Sequence, residues 1–160
     1  AQDAVATPRP TATPASAPLK TPAPSTGDDY TTPSSQVQEE ILLNLLNQER
    51  IAQGLSPLTL DAELSRIARI KSADMRDNHY FAHESPTYGH VSDMLKTFGY
   101  SFSGAGENIA HHATTEKAHA AFMSSEGHRR NILSSAWQKV GLGIVYDANG
   151  YVYVTEIFVR

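Results

Sequence analysis

Cysteine is absent from this 160-residue chain, so disulfides, thiolate metal sites and a cysteine nucleophile are all excluded. Long apolar runs are missing too. No segment approaches the roughly 18 consecutive apolar residues that a membrane-spanning helix needs, and no transmembrane segment is expected. Basic charge is scarce: 13 Lys and Arg stand against 17 Asp and Glu, and Arg129-Arg130 is the only adjacent basic pair. A chain so charged has no electrostatic footprint for nucleic acid, which is not expected as a partner. No internal repeat is visible.

Apolar residues are unevenly spread. The first 35 positions hold seven of the nine prolines, seven threonines and four serines, with Val5 and Leu19 as the only large aliphatics. Such a stretch buries too little to offset its ordering entropy, so residues 1–35 read as a disordered Pro/Thr/Ala/Ser-rich linker. A tether of this kind suits a domain held away from a membrane or wall, and Ala1-Gln2-Asp3 suits a mature end left by a removed signal peptide. A secreted or cell-surface, wall-associated location is the expectation. Residues 36–160 are long enough for one core.

Within that domain the pattern runs from helices to strands. Ser35 is expected to cap the first helix, with Gln38 completing a capping box. Val37, Ile41, Leu45 and Ala52, flanked by Leu42, Leu46 and Ile51, form its apolar face, and Gly54 ends it. Asp61 starts a second helix with Leu64, Ile67, Ala68, Lys71 and Met75 inward, the lysine snorkelling, and the helix fades near Asn78 ahead of Pro86. A short helix from His90 to Phe98 stops at Gly99, Gly106 to Ala110 is a strand, and Thr114 or Thr115 caps a helix that Gly127 interrupts. From Val140 the period changes to two. Val140, Leu142, Ile144 and Tyr146 pair with Tyr151 to Val159 across Asp147-Ala148-Asn149-Gly150, a hairpin in which Gly141 and Gly143 let a helix come close. Helices first and antiparallel strands last indicate an α+β fold.

All seven histidines lie between positions 79 and 128. His83, Glu107, Glu126 and His128 form the constellation best suited to chemistry. Imidazole and carboxylate are what zinc accepts without thiolates, and a catalytic zinc takes about three protein ligands. His83, Glu107 and His128 supply that set, so zinc or another divalent cation is the expected cofactor. Glu107 and Glu126 are the catalytic candidates for a hydrolase, either as a base beside metal-bound water or as a carboxylate pair. Each residue also has a structural reading: His83 and His128 as caps at helix ends, Glu107 on the backbone amides of its own bend. His79 and His83 would share a helical face only if the helix continued. Ser124-Ser125 lacks the elbow of a nucleophile. Glu156 alternates with Val154 and Phe158, and a carboxyl among apolar neighbours has its pKa raised.

Taken in order, five stretches resemble the CAP superfamily, or SCP domain, in its cysteine-free bacterial branch: Asn44 to Arg50, Phe81-Ala82-His83, Gly106 to Ala110, Ser125 to Leu133, and Val140 to Gly143 with Tyr153 to Phe158. The resemblance implies a three-layer α-β-α sandwich with a central antiparallel sheet and a cleft lined by His83, His128 and Glu107. The family's second cleft glutamate sits on the helix before the Gly-His motif, where this chain has Ala121-Phe122-Met123-Ser124-Ser125, so Glu126 is its neighbour in sequence. Family members are mostly extracellular; some bind divalent ions, some sterols or lipids. The expectation is therefore a surface-associated monomeric domain whose cleft binds a cation or a cell-wall, lipid or peptide ligand, the alternative being a hydrolase of cell-wall or peptide substrates.

Overall fold

The computed structural model describes residues 30–160; the linker expectation for 1–35 falls almost wholly outside them. Helix α1 (Pro33–Ala52) begins earlier than the Ser35 cap predicts. Thr32 is the N-cap, its hydroxyl accepting from Ser35 N at 3.0 Å, and Pro33 fits the first helical position because its missing N–H would have no helical partner there.

The buried stripe of α1 is also rotated from the apolar one. Ser35, Glu39, Leu42, Leu46 and Arg50 face inward, while Val37 and Ile51 are 52% and 60% exposed. Two inward positions are ion-forming and have partners. Glu39 receives a two-pronged bond from Arg69 at 2.8 Å on each oxygen, and Arg50 donates to the carbonyls of Ser56, Ile132 and Ser134 at 2.7 to 2.9 Å. Of the expected apolar face, the flanking Leu42 and Leu46 are the buried members, and the inward polar residues shift the stripe away from Val37.

Thr59 and Leu60 form a short strand, β1, within the expected connector. Helices α2 (Ala62–Asp77, N-cap Asp61) and α3 (Val91–Thr97, N-cap His90) follow. Next come β2 (Ala105–His112), α4 (Thr115–Ser124, N-cap Thr114), α5 (Glu126–Ile132), β3 (Lys139–Tyr146) and β4 (Val152–Val159). The α4–α5 break falls at Ser125, and Gly127 lies inside α5 rather than between the helices.

The sheet order is β1-β3-β4-β2. The three long strands are antiparallel, as expected; the two-residue β1 pairs with β3 in parallel, so the sheet is mixed. Alternation along β3 and β4 divides the core. Leu142, Ile144, Val154 and Phe158 pack with Leu42, Leu46, Phe122 and Ile132 of α1, α4 and α5. Ile157 and Val159 pack on the opposite side with Leu64, Ile67, Met94 and Leu95 of α2 and α3. Three layers result. Gly141 and Gly143 admit α2 against the sheet: a Cβ on Gly143 would stand 2.1 Å from Arg69 N, far inside van der Waals contact, so only a bare backbone fits.

Candidate functional site

Strand β2 is the edge of the sheet, and its adjacent residues Glu107 and Asn108 point to opposite faces, as strand alternation requires. Each carries one side of the site. On the α2 side, His83 Nδ1 lies 2.9 Å from Glu107 Oε1; the imidazole is 55% exposed while the carboxylate is 3% exposed. The ring is therefore anchored along one edge and open along the other. A carboxylate on Nδ1 favours the tautomer that leaves the Nε2 lone pair facing outward. Glu107 Oε2 is buried with no hydrogen-bond partner among the described residues.

The loop bearing His83 leaves α2 through His79 in a left-handed conformation, φ +53°, so His79 and His83 do not share a helical face. Two side chains of α2 hold that loop. Lys71, 1% exposed, does not snorkel; its ammonium donates to the carbonyls of Ala82 and His83 at 2.8 and 2.9 Å and to the Tyr80 hydroxyl at 3.3 Å. Burial lowers the Lys71 pKa, while the charges of Glu107 and Asp74 pull it back up. Asp74 accepts from Asn78 Nδ2, the Tyr80 hydroxyl and the Ser85 hydroxyl. Burial, and then the bond to Asp74, raise the Tyr80 pKa strongly, so it remains a neutral donor. Ser85 Oγ in turn accepts from Thr87 N and Tyr88 N at 3.1 Å.

On the other side, Asn108 Nδ2 donates to the carbonyl of His128 and to Glu156 Oε1, both at 3.0 Å. Asn131 Nδ2 donates to Asn108 Oδ1 at 2.9 Å, and Trp137 Nε1 donates to Asn131 O at 3.0 Å. These bonds fix α5 to the edge strand. The His128 ring is half-buried against Phe122 at 5.2 Å between centroids, and its Nδ1 meets Ser125 Oγ at 2.9 Å. Burial depresses its pKa, and the charge of His83 depresses it further. The two imidazoles thus lie within electrostatic range of each other, although 45 residues separate them in sequence.

Glu126 is placed elsewhere. Its carboxylate is 87% exposed and bonds Arg130 at 2.9 Å, one helical turn away. The carboxylate pair imagined with Glu107 therefore has one member facing solvent. Glu156 behaves as the alternation predicts: it is fully buried, burial raises its pKa to about 8 against the opposing effect of Asn108, and its Oε2 has no partner among the described residues. Asp74, and the supporting roles of Lys71, Asn108 and Asn131, escape the sequence reading. The available signal was a lysine and an aspartate three residues apart on the inward side of an otherwise apolar helix.

Among the described residues no three His, Asp or Glu side chains are arranged to hold a metal ion. Glu107 is engaged with His83 Nδ1, the position of a carboxylate that orients a ligating histidine. The expected set of three direct ligands, His83, Glu107 and His128, is therefore not assembled among the described residues.

The helix-sheet-helix sandwich is similar to that of SCP-domain proteins. The model of the cysteine-rich secretory protein (CAP) family matches residues 43–158, and the chain belongs to that family. It is similar to the uncharacterized protein YkwD of Bacillus subtilis (strain 168), 48% identical over 129 residues, covering 77% of this chain and 50% of that protein. It also matches the crystal structure of an extracellular protein containing a SCP domain from Bacillus anthracis str. Ames, with 34% identity and a TM-score of 0.74 over 81% of this chain and 44% of that one. An outer surface protein of Borrelia burgdorferi shares the fold at 16% identity, TM-score 0.73, covering 78% of this chain and 93% of that one. The chain spans about half the length of the first two. Among the described residues no helix is long and apolar enough to cross a membrane.

Proposed function

We propose that the domain acts outside the cell, at the surface or wall, and that its cleft binds a ligand or divalent cation through His83 and His128 without turning it over. The observation that carries this reading is the His83–Glu107 pair at 2.9 Å, because it orients one imidazole with its Nε2 outward, within electrostatic range of a second imidazole kept neutral by burial. A neutral imidazole is the form that accepts a hydrogen bond or a metal. The unpartnered Glu107 Oε2 leaves the carboxylate able to accept one more donor, which suits a hydrated cation or a hydroxyl- or amide-bearing wall, peptide or lipid ligand. A cation bound here would supply a Lewis-acid centre. The extracellular and outer-surface relatives support the location.

Isothermal titration of zinc into the wild-type domain and into His83→Ala/His128→Ala tests the reading. Binding heat in the wild type that disappears in the double variant is the expected result. Equal heats from both proteins would end the metal form of the proposal.

A further inference from the structure

A second concavity lies away from the His83–Glu107 pair, in the groove where α4 meets α5. It encloses about 550 Å³ and is lined by Met123, Ser124, Glu126, Arg129, Arg130 and Leu133. Met123 and Leu133 are partly buried and continuous with the core, so the groove has an apolar floor. The chain's only adjacent pair of basic residues lines it. The Arg129 side chain makes no hydrogen bond, ion pair or ring contact with any described residue. Among the described residues Arg130 is held by Glu126 alone, and both side chains are largely exposed, at 74% and 87%. Such a pair contributes about 0 to 1 kcal/mol and yields readily to a better partner.

Two arginines lining one groove with a single carboxylate, Glu126, give it a net positive charge on a protein of formal charge −4. The planar N–H fork of arginine matches the oxygens of a phosphate two at a time, and each such bond is charge-assisted. We propose that this groove is an anion site for a phosphate ester on a short polyol or aliphatic stem. Arg129 and Arg130 grip the phosphate oxygens, and Met123 and Leu133 flank the stem. Glu126 acts as a built-in competitor, occupying Arg130 until phosphate displaces it. The groove shares α5 with His128, but none of its lining residues hydrogen-bonds His83 or Glu107 among the described residues.

The probe is glycerol 3-phosphate, titrated calorimetrically at low and high salt, with glycerol as the uncharged control. The wild type, Arg129→Ser/Arg130→Ser and Glu126→Gln are compared; all three changes lie at exposed positions, and unchanged melting temperatures verify folding. Binding is expected to weaken by at least about tenfold in the double variant, to tighten about two- to fivefold in Glu126→Gln, to fall with added salt, and to persist in His83→Ala/His128→Ala. Equal affinities in the wild type and the arginine variant, or equal binding of glycerol, would overturn the proposal. Vesicles of phosphatidylglycerol distinguish the source: arginine-dependent capture of vesicles with no binding of the soluble ester assigns the phosphate to a lipid headgroup. Capture that survives the arginine substitutions counts against the site.

Discussion

The α2 side chains beneath His83 and the carboxyl beneath His128 differ in how completely they are hydrogen-bonded, although Glu107 on the His83 side also keeps one buried oxygen without a partner among the described residues. Beneath His83, every charged group of α2 has partners: Lys71 binds two carbonyls and a phenol, and Asp74 accepts three donors. Beneath His128, Glu156 has one partner and one orphaned oxygen. Burial of a charge is tolerated when hydrogen bonds replace the lost water, and otherwise the group titrates instead. The α2 scaffold should therefore be fragile to mutation, while the carboxyl beneath His128 makes stability depend on pH.

The largest effect is expected from breaking the complete scaffold. Lys71→Met frees the carbonyls of Ala82 and His83 and removes a buried cation that interacts with Glu107, with a cost of about 3 to 5 kcal/mol. Urea unfolding measures it, and a loss below about 1 kcal/mol would mean that the loop is held by other contacts.

Glu156 sharpens the contrast through pH. Its folded pKa of about 8 lies above the value near 4.3 of an unfolded glutamate, so between the two the native state keeps a proton that the unfolded chain releases. The resulting stability is full below about pH 4.3 and is lost as pH rises through about 8. Glu156→Gln should flatten that decline, giving a gain on the order of a few kcal/mol at pH 8.5 and little at pH 4. Parallel urea midpoints for the two proteins at every pH would show that the carboxyl ionises freely in the fold.

The smallest expected effect lies between the scaffolds. Because His83 depresses the pKa of His128, His83→Ala should raise it part of the way towards its ordinary value, which proton NMR of the ring reads directly. An unmoved titration would separate the two rings and with them the shared cleft. His128 itself works against Glu156 in the pH profile: a histidine held neutral stabilises the fold above about pH 6.5, and that contribution is lost as pH falls.

Much of this was legible from the chain alone. The hairpin followed from the period-two alternation across Asp147 to Gly150, the close approach of α2 from Gly141 and Gly143, the limits of α2 and α3 from Asp61, Asn78 and Gly99, and the burial of Glu156 from its place between Val154 and Phe158. The ordered motifs carried the family. Misreadings arose where polar residues point inward: the face of α1 turned on Glu39 and Arg50, and Lys71 was given to solvent because its three acceptors lie on a different stretch of chain.

Local pattern thus determined most of the elements and the α+β class, since periodicity, caps and turns act over a few residues, while the resemblance of the ordered motifs implied the sandwich and marked His83, Glu107 and His128 as candidates. Only the tertiary structure decided that Glu107 grips His83, that Asn108 and Glu156 lie beneath His128, and that Glu126 turns away to Arg130. Those choices depend on which side of an edge strand a side chain leaves and on what distant segment meets it there, distances that no spacing along a sequence encodes.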